Sequence, residues 1–343
     1  MKYREAILHA HQNIMMNERA IILGQGITDF KSMWGTLDGL KELYPDRMIE
    51  TPIAEDSIAG VCVGLSLNGM YPINTHIRAD FGLLIFNQLI NLIAKYRYMF
   101  GGSFELPMLI RLVIGRSWGQ GAQHSQSLQS LLSHIPGLTV IMPSNASSLI
   151  ASYEFAFKHY KNPVISFEHR LLYELDFDMS EHISKDAPLG SYIARYGSHV
   201  TVIATSIMVL ECVRAADYLR DFGVELEIID LHNTSSPDNN LIIESLKKTG
   251  YLIVADTSWL RYGVSAEVSR TICEFNPALL KKRQLNLGMA DASCPTAKAL
   301  EDIYYPGVSD IIQAVLELLD IKSIPIPKKQ SMTDFYKHFK GPF

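Results

Sequence analysis

Short apolar runs alternate with amphipathic stretches from one end of the chain to the other, the pattern of α/β units built around parallel sheets. Ala20–Leu23, Tyr71–His76, Pro107–Ile114, Leu138–Met142 and Val164–Phe167 read as strands of a first half. Val200–Ala204, Val224–Ile229, Tyr251–Ala255 and Gln284–Leu287 read as strands of a second. Apolar residues recur at helical spacing in Phe81–Met99 and Leu210–Phe222, which predicts helices packed on the sheets. The alternation lapses between Leu171 and Ser191, where the acidic stretch Glu174-Leu175-Asp176-Phe177-Asp178 precedes several polar residues; this is the expected linker. The expected fold class is α/β with two domains, residues 1–175 and 190–320, followed by a tail, 321–343. Within the tail, Ile324-Pro325-Ile326-Pro327-Lys328-Lys329 reads as extended and docked.

Composition narrows the picture. A chain of 343 residues suits two domains, and 48% hydrophobic with 20% charged residues suits a large buried core. The net charge of −5 excludes a general nucleic-acid binder, which would carry a clustered basic excess. Cys62, Cys212, Cys273 and Cys294 are scattered without metal-site spacing, so all four are expected to be buried small hydrophobes in a reducing compartment. No apolar run reaches the roughly 18 residues of a membrane span. Met1-Lys2-Tyr3-Arg4-Glu5-Ala6 leads directly into a helical pattern, without a signal or transit peptide, so a cytoplasmic protein is expected.

Three segments carry candidate chemistry. In the first, Asp46–Glu55 ends on Thr51-Pro52-Ile53-Ala54-Glu55, before a helix of small residues, Ile58–Leu65. A carboxylate opening a helix after a strand end stands where catalytic groups sit in α/β sheets; it also simply complements the positive helix terminus. In the second, Gly119-Gln120-Gly121-Ala122-Gln123-His124-Ser125-Gln126-Ser127 places glycines before a histidine at an expected helix start, a mobile loop able to deliver an imidazole. His134, beside Pro136-Gly137, is expected instead to satisfy backbone groups. In the third, His76-Ile77-Arg78-Ala79-Asp80-Phe81 ends a strand, and its aromatic is either core or a stacking face for a heteroaromatic ring.

In order and spacing these segments resemble the β subunit of pyruvate, branched-chain 2-oxo acid and acetoin dehydrogenases. The carrying motifs are Thr-Pro-Ile-Ala-Glu, Ala-Asp-Phe, Ala-Gln-His-Ser-Gln-Ser, His-Ile-Pro-Gly-Leu and Pro-Ser-Asn. Pro237-Asp238, Lys247-Lys248-Thr249-Gly250, Gly263–Val268, Cys294–Glu301 and Tyr304-Tyr305-Pro306 extend the resemblance over roughly residues 5–320. It implies two three-layer α/β/α domains, a transketolase-like pyrimidine-binding domain and a transketolase C-terminal-like domain. It also implies thiamine diphosphate as cofactor, with decarboxylation of a 2-oxo acid and acyl transfer to a lipoyl group. Under this resemblance Glu55 hydrogen-bonds a pyrimidine nitrogen and favours the imino tautomer that removes the thiazolium proton. Phe81 stacks on the aminopyrimidine, Ile53 adjoins the cofactor, and His124 orients or protonates intermediates. The superfamily's Gly-Asp-Gly plus Asn motif for magnesium and diphosphate is missing, and Gly24-Gln25-Gly26 reads as a turn. Magnesium is therefore expected from an α-type subunit in an α2β2 assembly, with a lipoyl acyltransferase as further partner and no metal ligand on this chain.

The sequence also departs from the family. Thr75 stands where a Glu is usual, Asn87-Gln88 replaces Asp-Gln, and Arg116-Ser117-Trp118 replaces a glycine-rich run. The residues after Pro143-Ser144-Asn145 lack the acid that often helps hold a potassium ion. His76 and Arg78 replace mostly uncharged residues; Arg78, with His76, is expected to bind an anionic group of the substrate, or else to pair with Asp80. These changes suggest a specialised relative. A carboligase, a split transketolase and a non-catalytic paralogue are the alternatives, and retention of Glu55, Phe81 and His124 weighs against the last.

Overall fold

The apolar runs form two separate sheets, one in each of two units of the chain. In a computed structural model, the structure describes residues 1–29, 31–115, 119–179 and 188–329. One unit comprises Met1–Ile114 with Leu131–Leu189, the other Gly115–Ser130 with Gly190–Phe343. The segment carrying His124, expected within the first domain, thus groups with the second unit. The Arg116-Ser117-Trp118 departure lies outside the described residues.

In the first unit the strands are β1 (Ala20–Gly24), β2 (Met48–Glu50), β3 (Tyr71–His76), β4 (Met108–Ile114), β5 (Thr139–Ile141) and β6 (Pro163–His169). They form an all-parallel sheet of order β2-β1-β3-β4-β6-β5. Except for β2, the strands are buried along their whole length, which explains runs of continuous apolar residues in place of alternation. Ile21 and Leu23 of β1 pack against Cys62, Ile58 and Leu65 of helix Glu55–Leu67. On a period of two, Ala20 and Ile22 turn to the opposite face. Helices Tyr3–Met15 and Ala146–Lys158 pack against each other, and the latter contacts β4. Asn145 caps the second of these, its side-chain oxygen accepting from the Ser148 N–H.

The second unit has β7 (Tyr192–Arg195), β8 (Val200–Ala204), β9 (Leu226–Asp230), β10 (Leu252–Trp259) and β11 (Leu285–Met289), in the order β11-β10-β8-β9-β7. All pairs are parallel except β7 with β9. Ile203, Ile229, Leu252 and Val254 pack on Ile242 and Leu246 of helix Asn239–Thr249 and on Val264, Val268 and Ile272 of helix Val264–Phe275. Helices Ile207–Arg220 and Val308–Leu319 contact the sheet as well as each other.

Several expectations need correction. Phe81–Met99 is not one helix: it breaks into a 3-10 stretch, Ala79–Ile85, a π stretch, Gln88–Ile93, and one α-turn, Tyr96–Met99. An apolar spacing of three and four residues fits all these windings, so periodicity alone does not separate them. The acidic start of the expected linker is tied to the first unit. Glu174 pairs with Lys2 (2.9 Å) and Arg4 (3.1 Å), and the Phe177 N–H donates to the Met1 carbonyl, tying the stretch to the N-terminus. Residues 180–187 of that interval lie outside the described residues. Cys273 is exposed, unlike the other three cysteines. In the tail, Ile324 is buried and the Tyr218 hydroxyl donates to the Pro325 carbonyl (2.8 Å); residues 330–343 lie outside the described residues. Among the described residues no helix is long and apolar enough to cross a membrane.

Candidate active site

β1 pairs with β2 on one side and β3 on the other, so the strand order reverses at the carboxyl ends of β1 and β3, where open α/β sheets leave a crevice for ligands. A recess lies there, lined by Gly24, Glu55, Asn74, Thr75, His76 and Phe81 among others. Gly24 ends β1 so close to β3 that a Cβ would lie 2.6 Å from the Thr75 carbonyl oxygen, which leaves no room for any side chain.

Glu55 is the first residue of its helix, where the unsatisfied N–H groups and macrodipole favour a carboxylate. It is half-buried at the rim. Its neighbour Asp56 accepts from Gln88 Nε2 (3.0 Å), which ties the helix start to the π stretch. Phe81 leaves β3 in the 3-10 stretch and presents a partly exposed ring to the recess. Ile53 is 85% exposed and is not among the lining residues.

The floor of the recess is polar and unsatisfied. Asn74 Nδ2 and His76 Nε2, on one face of β3, are buried, and neither has a hydrogen-bond partner among the described residues. Such groups are uncommon in folded proteins and call for an explanation. Burial pushes the His76 pKa down to about 4, against the opposing pull of Glu55, so at neutral pH the imidazole is uncharged. The set thus offers a carboxylate acceptor, an amide donor, and an imidazole that can act either way, beside an aromatic face. That matches a nitrogen heteroaromatic ring carrying an amino group.

Arg78 is buried after the end of β3 and does not line this recess. Its guanidinium lies 5.5 Å from the ring centroid of Trp34, with Arg170 at 4.6 Å from the same ring. Trp34 belongs to a left-handed turn in which Ser32, Met33, Trp34 and Gly35 all have positive φ, a strained arrangement for three residues with side chains. Burial lowers the Arg78 pKa, and the charge of Asp80 works against that. Because β3 stops at His76 and Asp80 lies in the 3-10 stretch, the same-face rule of an extended strand does not relate Arg78 to Asp80.

In the second unit His124 is half-buried in a loop before the short helix Gln129–Ser133, not at its start. Gly119 and Gly121 have positive φ, and a Cβ on Gly121 would lie 2.8 Å from Thr296 Oγ1; close packing accounts for these glycines without mobility. The loop is anchored beyond His124. Gln129 Nε2 donates to Asp256 Oδ1 (2.8 Å), which also accepts from Thr205 Oγ1 (2.6 Å), and Ser258 Oγ donates to the Ser127 carbonyl (2.8 Å). Burial raises the Asp256 pKa against these bonds. His134 is exposed, and its ring has no hydrogen bond among the described residues, so it does not satisfy the neighbouring turn.

One network escaped the motif reading. Arg111 of β4 and Glu168 of β6 are fully buried and paired through two bonds, Nε to Oε1 (2.6 Å) and an NH2 group to Oε2 (2.8 Å). The Tyr153 and Tyr173 hydroxyls donate to the same carboxylate. The available signal was a charge inside each of two otherwise apolar strands, Met108–Ile114 and Pro163–His169: a charge buried on both sides needs a partner. Arg111 stands in register with Thr75, so this network braces the strand that carries the recess floor.

Two family models match: the transketolase pyrimidine-binding domain over residues 1–175 and the transketolase C-terminal domain over residues 191–311. The chain is 35% identical over 326 residues to the mitochondrial pyruvate dehydrogenase E1 component subunit beta of Bos taurus, covering 93% of this chain and 90% of the relative. It is 33% identical to the Rickettsia felis counterpart over 315 residues, covering 91% and 96%. It is 34% identical to the beta subunit of acetoin:2,6-dichlorophenolindophenol oxidoreductase of Cupriavidus necator over 307 residues, covering 88% and 90%. Among solved structures, a split-gene transketolase described as an inactive β4 tetramer superposes with a TM-score of 0.74 at 23% identity, covering 93% and 97%, a likeness of fold. With both domain models matched in order and relatives aligned over nearly the whole chain, this protein belongs to the transketolase-like family of pyruvate and acetoin dehydrogenase E1 β subunits.

Proposed function

We propose that this chain is the β-type subunit of a thiamine-diphosphate-dependent enzyme that decarboxylates a 2-oxo acid and transfers the acyl group to a lipoyl carrier. The observation that carries the reading is the meeting of Glu55 and Phe81 in one recess at the strand-order reversal of a parallel sheet. Thiamine diphosphate, when bound, supplies an acidic ring carbon and an electron sink for decarboxylation. Glu55 holds a carboxylate against a ring nitrogen and keeps a proton there; Phe81 offers the stacking face. His124 orients the substrate and stabilises charge developing on it. Arg78 supplies positive charge for an anionic group of the oxo acid, with Asp80 as its counter-charge when no substrate is bound. Magnesium and the diphosphate fall to an α-type partner, because this chain lacks the Gly-Asp-Gly plus Asn motif.

The test is Glu55→Gln in the enzyme reconstituted with its α-type partner and magnesium. An amide carries no negative charge for the ring nitrogen, so deuterium exchange at the thiazolium carbon should slow by about 10²-fold or more, the weight of a positioned acid–base group. Assembly should be unchanged. An unaltered exchange rate would reduce Glu55 to a helix-end acid and sink the reading.

A further inference from the structure

Two buried polar atoms without a partner among the described residues, His76 Nε2 and Asn74 Nδ2, meet at one recess of the first unit. Buried histidines elsewhere spend a ring nitrogen on the protein itself: His169 Nδ1 accepts the Leu171 N–H (3.2 Å). His76 is 93% buried, since 7% of its surface is exposed, and its Nε2 has no partner among the described residues. Asn74, two residues earlier and 2% exposed, leaves its amide nitrogen equally unspent. On a period of two, Asn74 and His76 project to the same face of β3, and both line the recess whose rim holds Glu55 and Phe81. Leaving such groups unmatched costs stability, which is tolerated where a ligand completes them.

We propose that His76 and Asn74 are direct contacts of the ring that enters this recess, and that they select an amino-substituted nitrogen heteroaromatic. The inference rests on the proposed cofactor reading and extends it to Asn74 and to His76, a position at which the chain departs from the family's usual pattern. Asn74 Nδ2 is a donor, so it meets a ring nitrogen lone pair. The uncharged His76 imidazole presents either a lone pair to an amino group or an N–H to a ring nitrogen, and the Glu55 carboxylate accepts at the remaining edge. An uncharged imidazole contributes no positive charge, so His76 is assigned here to the ring and not to the substrate's anion.

The experiment measures two quantities for His76→Phe, His76→Leu and His76→Gln. One is the thermal midpoint of the full chain without partner or cofactor. The other is the KM for thiamine diphosphate of the enzyme reconstituted with its α-type partner and magnesium. The apolar variants remove an unsatisfied buried nitrogen, so the isolated chain should gain about 2 °C or more, while the cofactor KM rises about 10-fold or more. Gln restores a nitrogen near the position of Nε2 and should keep KM within about 3-fold of wild type. An unchanged KM in the apolar variants overturns the proposal. So does a destabilised or unfolded chain in both of them, which would mark a structural histidine. If the wild-type enzyme shows no dependence on thiamine diphosphate while the apolar variants still stabilise the isolated chain, the cofactor reading falls, and His76 stands as a contact for a different ring.

Discussion

Replacing Glu168 by Gln tests whether the Arg111 network holds the first sheet together. The carboxylate accepts four hydrogen bonds, from Arg111 Nε (2.6 Å), an Arg111 NH2 group (2.8 Å), Tyr153 (2.5 Å) and Tyr173 (2.8 Å). Both charged side chains are entirely buried. A neutral amide leaves the guanidinium without a counter-charge in a site closed to solvent, and turns one acceptor atom into a donor facing other donors. Breaking a buried pair from one side costs about 3–5 kcal/mol. At about 2–4 °C per kcal/mol for a unit of this size, the midpoint should fall by about 6–20 °C. Removing both charges, as Arg111→Met with Glu168→Met, should recover much of that loss, because no unpaired charge remains. Urea unfolding of Arg111→Met, Glu168→Met and the double variant measures the coupling directly. A Gln variant within about 1 kcal/mol of wild type, or a double variant losing the full sum of its singles, would refute the reasoning. Acid should tell the same story. Burial pushes the Glu168 pKa up, but Arg111 and the two tyrosine hydroxyls outweigh it and hold it below the ordinary carboxylate value. A depressed carboxylate contributes stability above its unfolded value of about 4.3, and loses it as pH falls through the folded value. Below about pH 4 the wild type should therefore lose stability faster than the double variant.

Gly24→Ala places a Cβ 2.6 Å from the Thr75 carbonyl oxygen, so β1 and β3 must part; denaturant unfolding should show a loss of about 1–3 kcal/mol, and no loss would mean the strands yield freely. Arg78→Met should erase a preference for an oxo acid with a distal carboxylate over a methyl-terminated one of equal length, measured as the ratio of kcat/KM; if the wild type shows no such preference, Arg78 serves the structure with Asp80.

The strands were legible where burial on both faces imposed a mainly apolar run, as in Val200–Ala204, whose bounds agree with the structure, and Tyr71–His76 was placed with the right bounds although it ends in three polar residues. β7 was not, because Tyr192–Arg195 is an edge strand paired antiparallel to β9 through a register shift, and only Tyr192 is buried. Glu55 and Phe81 stood out by motif order, and the structure brings them to one recess. Asn74 did not, because a short polar residue at a strand end carries no distinctive pattern until its neighbours are known. The same holds for the hydrogen bond from Gln88 to Asp56, which needs the π winding to bring the amide within reach. His124 was found by motif, but its anchoring through Gln129 and Asp256 joins residues far apart in the chain.

The first sheet ends on both sides in strands of only three residues, β2 and β5, and β5 is buried throughout. Edges this short offer an incoming strand few backbone groups to zip onto. Long bare edges would template polymerisation of a chain that spends time unassembled. Self-association through the first sheet is thus disfavoured by construction, so lateral growth into fibres should not start from its edges.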